Sequence, residues 1–502
     1  MRSEASDRDA SRSSVPIPGP SRSFWLQDAL AHDPGAPCPP LEAHVAADVC
    51  IVGGGFCGLW TALELRRREP GMRIVLVEAD IVGGGASGRN GGFFSSSWWD
   101  LPAFVGFFGD DDGLRYARRL ADAVAEVGAF VREESIDCWW HHEGTLAIRA
   151  GAWQSGIADD QAVELAARLG EAERLQPRRV SEARGVADSP RITSAVFAPD
   201  NATVQPARLA RGLRRVLLAR GVAIHERTPA VAIDGGRPAV VRTPHGAVKA
   251  DHVVLAHGSW AASWPGFGRS FAVIADTMVA TEPIPDLLEE IRWTSHVGLA
   301  DGRELLFYLR RTDDDRIAIG GGALGIAFGG RAASRAVTHD RRAAQVAADG
   351  LTWLFPQLES VRFTHAWGGP IDQTASMFPF FRTLRSGNVH AGLGFSGHGL
   401  SQTYVGGAIL ASMVLGLEDE HTSLPVARPE LGRVPPEPIR WPAARLAAWA
   451  LESGDRRERD GRRRGIVRTT LGDAPSRVRT SLMSRHGRRP DVTRRSGASA
   501  DQ

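Results

Sequence analysis

Lysine is almost missing from this chain, occurring once, at Lys249, among 60 Lys and Arg residues. That removes a catalytic residue type from nearly every position and leaves the positive charge on guanidinium groups, which stay protonated. Cysteine is scarce as well: Cys38, Cys50, Cys57 and Cys138 show neither C-x-x-C spacing nor a disulfide framework, which points to a reducing compartment. No apolar leader pattern opens the chain and no run of about 18 apolar residues appears in it, so the expected address is the cytoplasm and no transmembrane segment is expected.

What is present is enough to fold. With 43% hydrophobic residues over 502 positions, the chain can hold two domains or one large composite. The formal charge of +2 hides an asymmetry, because residues 455–502 carry fourteen Arg against six Asp or Glu. That basic tail lacks interleaved aromatics and a folding pattern. It is expected to be a disordered, solvated extension with no specific nucleic-acid partner. Residues 1–22, rich in Ser, Arg and Pro, are also expected to be disordered, with order beginning at Phe24-Trp25.

The organising stretch is Asp48 to Gly58. An apolar strand, Val49 to Val52, runs into Gly53-Gly54-Gly55-Phe56-Cys57-Gly58 and then a helix. In this G-x-G-x-x-G the first glycine permits the tight turn, the second lets the backbone approach a pyrophosphate, and Gly58 lets helix and strand pack closely. The amides at the helix start favour phosphate. A second apolar strand, Arg73 to Val77, ends at Glu78, placed to bind a ribose hydroxyl. A dinucleotide site follows from that order. Directly after it, Gly83-Gly84-Gly85-Ala86-Ser87-Gly88-Arg89-Asn90-Gly91-Gly92 has no apolar period of its own and is expected to be shaped around a ligand.

Further along, helical spacing from Leu114 to Glu134 precedes an expected strand over Asp137 to Ile148. His141 and His142, adjacent on such a strand, would point to opposite faces, so no shared metal is expected there. Strand and helix alternation resumes from Val204 to Ala256, and the turn His257-Gly258 ends a parallel strand, with His257 expected to be packed rather than to act as a base. From Arg269 to Val361 the pattern changes to strands with polar turns. Asn388 to Ala391 then leads into a third glycine turn, Gly392 to Gly399, and an apolar helix from Leu400. This turn is not a nucleophile elbow, because the second glycine of G-x-S-x-G falls on His398.

The fold expected is an α/β composite: a Rossmann-like FAD-binding domain interrupted by a mixed or antiparallel-sheet substrate domain. The dinucleotide domain is assigned 23–135, 199–265 and 363–425, and the inserted domain 136–198 and 266–362. A C-terminal helical segment follows at 426–454. A glycine turn that returns to open a helix some 300 residues after the first suits a flavin, whose ring must be held far from its AMP half, with helix-start amides stabilising charge on the reduced ring.

These segments resemble the FAD-dependent D-amino acid oxidase and glycine oxidase family. The resemblance is carried by Val49 to Gly58, Glu78, Gly85 to Gly92, Val204 to Leu209, Val253 to Trp260 and Phe395 to Gly399. The wording Ala-Ser-Gly-Arg-Asn-Gly-Gly, with Phe24-Trp25-Leu26 and Trp367-Gly368-Gly369, is most similar to the gamma-glutamylputrescine oxidoreductase branch. It implies non-covalent FAD contacted by Gly53, Gly55, Phe56, Cys57, Gly58, Glu78, Ala86, Ser87, Arg89, Asn90, Gly91, Gly92, Val231, Gly258, Gly394, Phe395, Gly397, His398, Gly399 and Leu400. It also implies an amine substrate oxidised by hydride transfer to the flavin, giving an imine that water hydrolyses. Tethering residues of relatives, a cysteine near Thr374 or a histidine after Glu78, have no counterpart.

Candidate residues on the chemistry are His398, Arg89, Tyr308 and Arg310. Sarcosine oxidase relatives carry a lysine after the Gly-His-Gly turn, where this chain has Leu400-Ser401, which disfavours a simple N-methyl amino acid. Their oxygen-activating lysine has no counterpart either, so the electron acceptor is oxygen or another partner. The Thr-x-Asp-x-x-Pro segment appears as Thr374 to Pro379 with Ser376 for Asp. An NADPH-dependent flavin monooxygenase, or a flavoprotein without turnover, are the alternative readings, and oligomeric state is left open.

Overall fold

The structure is a computed structural model that describes residues 22–150, 157–460 and 474–486. The 1–22 segment, expected to be disordered, lies almost wholly outside the described residues. Order is visible from Ser23, whose hydroxyl accepts from the Leu26 amide and caps the helix Phe24–His32.

Four parallel strands form the middle of the first sheet, ordered Val389–Leu393, Ala247–Leu255, His44–Val52, Ile74–Val77. Ala223–His225 adds a fifth parallel strand at one edge, and Phe380–Thr383 runs antiparallel at the other. Val49, Cys50, Ile51 and Val52 are buried on both faces, as a central parallel strand covered by helices requires. One covering helix, Phe56–Arg68, packs so closely against Gly399–Leu415 that a Cβ on Gly407 would lie 2.6 Å from the Trp60 Cβ. The helix Asp110–Glu133 opens with three aspartates, which suit its positive dipole end, and buries Tyr116, Leu120, Val124, Val127 and Val131 along one stripe.

The second sheet has nine strands. Its pairs are antiparallel except Gly298–Asp301 with Thr145–Ala150, so it is mixed, as expected. The helix Phe24–His32 docks on it through Trp25, whose ring meets Trp367 edge-on at 5.9 Å, a geometry worth about 0.5–1.5 kcal/mol beyond burial.

Three assignments change. The strand expected from Asp137 begins only at Thr145, because Gly144 has φ +82° and His141 makes an isolated bridge to Thr203. Residues 363–373, assigned to the dinucleotide domain, instead form the strand Phe363–Gln373 of the second sheet, paired along Ala272–Thr281. The basic tail is partly ordered: one helix continues to Arg459 and another spans Ala474–His486, where Leu482 and Met483 pack on the core of the first domain.

Candidate active site

The turns after the parallel strands all emerge at the carboxyl edge of the first sheet, where open α/β sheets bind ligands. Gly53 has φ +113°, and a Cβ there would lie 2.6 Å from the Ala256 carbonyl oxygen; one on Gly58 would lie 2.1 Å from the Gly53 carbonyl. Neither can carry a side chain, whereas a Cβ on Gly55 would meet only the Ser87 hydroxyl, at 3.0 Å. Gly55 is the N-cap of its helix and offers no capping side chain; the Phe56 amide donates to Ser87 Oγ at 2.9 Å. Glu78 accepts from the Gly54 amide at 2.7 Å and the Asp80 amide at 2.9 Å. Burial raises its pKa above the usual carboxylate value while those two bonds oppose the shift.

The loop that follows is braced from within. Asn90 donates to the Ala86 and Ser87 carbonyls and accepts from the Gly92 amide at 2.9 Å. Arg89 donates to the carbonyls of Gly84 at 3.0 Å and Gly368 at 3.1 Å, and burial pushes its pKa down. A mostly buried guanidinium satisfied by neutral carbonyls retains its charge for an anion nearby.

The third turn is held by a residue that sequence reasoning missed. Asp372, at the end of the second-sheet strand, accepts from the Gly394 amide at 2.6 Å and is also bonded by the amides of Phe395 and Ser396. Burial nevertheless pushes its pKa up to about 6. Ser396 Oγ meets Thr374 Oγ1 at 3.1 Å and accepts from the Thr374 amide. Where the Thr-x-Asp-x-x-Pro pattern has Asp, Ser376 accepts from the Phe378 amide. Gly394 and Gly397 have φ +82° and +88°, and His398 precedes the helix Gly399–Leu415 without capping it by its side chain. Its Nε2 lies 3.9 Å from Asp100 Oδ2. Ser401, at the place of the absent lysine, donates to the Ser95 carbonyl at 2.6 Å.

Between these turns lies a partly exposed strip of the second sheet. Ala272, Ile274 and Asp276 alternate with buried neighbours on one strand, and Gln373, Ile371 and Gly369 do the same on the next. They are register partners, Ala272 with Gln373, Ile274 with Ile371 and Asp276 with Gly369, so all six share one face. The first-sheet elements border it: a Cβ on Gly397 would meet Ile371 at 3.7 Å, and one on Gly369 would meet Arg89 Cβ at 3.3 Å. Asp276 Oδ1 accepts from the amides of Thr277 at 2.7 Å and Gly321 at 3.1 Å, and Tyr308 hydrogen-bonds its carboxyl. Burial raises the Asp276 pKa to about 6.

Tyr308 and Arg310 do share one strand face, Phe307–Arg311. Tyr308 covers Gly91, where a Cβ would lie 2.6 Å from its ring. Arg310 is fully buried, not solvated; its Nη1 donates to the carbonyls of Gly92 and Val204, while its Nη2 has no hydrogen-bond partner among the described residues. Val231 is 61% exposed and its amide donates to the Arg242 carbonyl at 2.8 Å, on a segment that the Thr228 amide ties to the Glu78 carbonyl at 2.7 Å. His257 is packed as expected, its ring 4.8 Å from Trp264 with both nitrogens sealed off and unpartnered, and burial lowers its pKa to about 4.

A dinucleotide cradle at one sheet edge, facing a strip of an inserted mixed sheet, defines a two-domain flavin-dependent oxidoreductase. The family described as FAD dependent oxidoreductase matches residues 48–413, and the chain belongs to it. Its cofactor is FAD and its activity is that of an amine or amino-acid oxidoreductase. The chain is 29% identical over 388 residues to gamma-glutamylputrescine oxidoreductase of Escherichia coli K12, covering 76% of this chain and 86% of that one. It is 26% identical over 394 residues to the probable oxidoreductase OrdL of Haemophilus influenzae, covering 77% and 86%. Glycine oxidase from Geobacillus kaustophilus shares the fold, with a TM-score of 0.64 at 20% identity over 76% of this chain and 98% of that chain. Among the described residues no helix is long and apolar enough to cross a membrane.

Proposed function

We propose that this chain oxidises the C–N bond of a gamma-glutamylputrescine-like amine, releasing an imine that water hydrolyses. The observation that carries the reading is the Asp276–Tyr308 pair on the accessible strip, between the Arg89 to Gly92 loop and the Gly394 to Leu400 turn. The Gly53 to Gly58 turn would hold the pyrophosphate of FAD and Glu78 its ribose, and the flavin would supply the two-electron acceptor. The cradle fits it, since Gly55 leaves open the place where a side chain would obstruct a pyrophosphate and the helix behind it has no capping side chain.

Asp276 is the substrate's anchor in this reading. A carboxylate already fixed by two backbone amides and a phenol is pre-organised to receive an ammonium or amine N–H. The cation two residues beyond Tyr308 on the same strand, Arg310, is fully buried beneath the partly exposed strip, with its Nη1 on backbone carbonyls. The strip is therefore better suited to an amine than to an amino acid held by its carboxylate. The relative at 29% identity favours a gamma-glutamyl amine within that class. Arg89 supplies positive charge at the strip's border, and Ile274 and Ile371 supply an apolar wall that limits water.

Four free, buried cysteines accord with a reducing, cytoplasmic setting. Anaerobic titration of the FAD-loaded protein with polyamines, gamma-glutamyl amines and amino acids tests the proposal. The expected result is bleaching of the flavin by a gamma-glutamyl amine without NADPH. A requirement for NADPH would point to a monooxygenase, and no bleaching by any amine would leave a binding flavoprotein.

A further inference from the structure

Away from the cofactor cradle, three side chains from three separate segments converge on one point. His141 is fixed by two backbone hydrogen bonds exchanged with Thr203, at 3.0 and 2.8 Å. His296 is positioned by its amide, which donates to Glu143 Oε2 at 2.9 Å. Asp313 sits in the turn joining Phe307–Arg311 to Ile317–Gly321, braced by the Thr312 amide on the Arg316 carbonyl and by Thr312 Oγ1 on Asp314. The two imidazoles stack in parallel, centroids 3.6 Å apart and planes within 3°. Their facing nitrogens address the same oxygen: Asp313 Oδ1 is 2.8 Å from His141 Nε2 and 3.7 Å from His296 Nδ1.

A single proton does not satisfy this arrangement. It can bridge His141 to Asp313, but His296 Nδ1 is then a buried nitrogen with no hydrogen-bond partner. Charging both stacked rings would set two cations face to face. A neutral imidazole is what a metal ligand requires. We propose that His141, His296 and Asp313 form a site for a divalent transition-metal ion, zinc being the natural occupant of a two-imidazole, one-carboxylate set.

Tetrahedral zinc with bonds of about 2.0–2.1 Å separates its ligand atoms by about 3.3 Å, and the two imidazole-to-carboxylate separations, 2.8 and 3.7 Å, bracket that value. Stacked rings aim their lone pairs in parallel planes, so binding turns one imidazole out of the stack. The side chains are 22%, 19% and 32% exposed, so the ion reaches the site from solvent and a fourth position stays open for water. Glu143 Oε1, 3.8 Å from the other nitrogen of His141, is placed to orient that ring from behind. The adjacent His142, the pairing that the sequence suggests first, takes no part; among the described residues this is the group whose ligand atoms converge. A metal here ties the Asp313 turn to the His141 and His296 segments. It thereby steadies the strand that carries Tyr308 and Arg310.

Tag-free, FAD-loaded full-length protein, stripped with a chelator and titrated with Zn²⁺ against a chromophoric competitor, tests the site. One equivalent should bind and raise the melting temperature. His296→Ala and Asp313→Asn should each weaken that equivalent by at least about tenfold, whereas His142→Ala should leave it unchanged. His296→Ala removes a partly exposed ring and decides the matter even where Asp313→Asn folds poorly. Failure of the wild type to bind an equivalent would reduce the cluster to a His141–Asp313 ion pair, and equal zinc binding by both variants would place the ion elsewhere. Either result overturns the proposal.

Discussion

The indole Nε1 of Trp367 donates to the Arg89 carbonyl at 2.9 Å, and the Arg89 guanidinium reaches back to the Gly368 carbonyl at 3.1 Å. The two segments that are most distinctive in the sequence, Ala86 to Gly92 and Trp367 to Gly369, are thus halves of one clasp between the domains. Gly369 completes it by leaving room beside the Arg89 Cβ. The clasp sets the height of the second sheet over the cofactor edge, and so fixes where Asp276 stands.

Substituting Gly55 separates cofactor binding from folding. Its Cβ would meet only a serine hydroxyl at 3.0 Å, while Gly58 lies against backbone. Gly55→Val is therefore expected to purify folded, with an unchanged circular dichroism spectrum, but colourless. A yellow Gly55→Val protein at full occupancy would show that the pyrophosphate does not pass over this residue.

The FAD is expected to be held without a covalent bond, as the absence of a tethering cysteine or histidine at the places used by relatives implies. Acid precipitation should release it quantitatively into the supernatant. A yellow pellet would contradict this.

The dinucleotide half was legible because Gly53 and Gly58 answer to backbone contacts set by one short local motif. The substrate half was not. Phe363–Gln373 contains Gly368-Gly369-Pro370, which reads as a turn, yet it is an edge strand whose outer side has no ladder to lose to proline. Asp276 and Asp372 look like ordinary strand polar residues until pairing sets one beside Tyr308 and the other under the Gly394 turn. The His141, His296 and Asp313 cluster is assembled across 172 residues of chain, and no local pattern reports that. The helix Ala474–His486 escaped notice because its charge masks the few apolar residues that dock it.

Asp276 should govern amine affinity. Asp276→Asn is expected to raise KM about 10–100-fold, the worth of a charged hydrogen bond of about 1.5–3 kcal/mol, with FAD retained. In the wild type the carboxyl ionises near 6, so KM for an amine that stays cationic should fall as pH rises through that value. Tyr308 hydrogen-bonds the ionised form and lowers that pKa; Tyr308→Phe should move the midpoint upward. A KM profile flat between pH 5 and 8 in all three proteins, within a roughly twofold error, would remove Asp276 from substrate binding.

His257 should contribute to acid sensitivity. Its folded pKa lies near 4 against a model-peptide value of 6.5, so the unfolded chain binds the proton more readily. Stability is then full above the unfolded value and is lost as pH falls from 6.5 toward 4, by up to about 3 kcal/mol. His257→Phe, which keeps a ring against Trp264, should lose less melting temperature between pH 7 and pH 5 than the wild type, by roughly the shift that about half of this energy gives. Identical losses would exclude His257 as the sensor.

The electron acceptor is where the scarcity of lysine matters most. Reducing oxygen builds negative charge on it, and a fixed cation beside the reaction centre stabilises that charge. Lys249, the single lysine, lies in the strand Ala247–Leu255 away from its cofactor-facing end, paired with Ala46 and Val240. The position after the Gly-His-Gly turn is taken by Leu400-Ser401, with Ser401 tied to the Ser95 carbonyl. Among the described residues, Arg89 and His398 border the site and can take the role. Arg89 has no carboxylate partner among the described residues but is oriented by the Gly84 and Gly368 carbonyls, which fixes its charge at the clasp. His398 is partly open to solvent and 3.9 Å from Asp100. Oxygen turnover is therefore expected to be measurable but slow, with an artificial dye reoxidising the reduced enzyme considerably faster. Stopped-flow mixing of the amine-reduced protein with oxygen checks this. Arg89→Gln and His398→Asn should each slow the reaction further. Rapid reoxidation that survives both substitutions would show that oxygen activation here needs no fixed cation, and the inference from the missing lysine would fall.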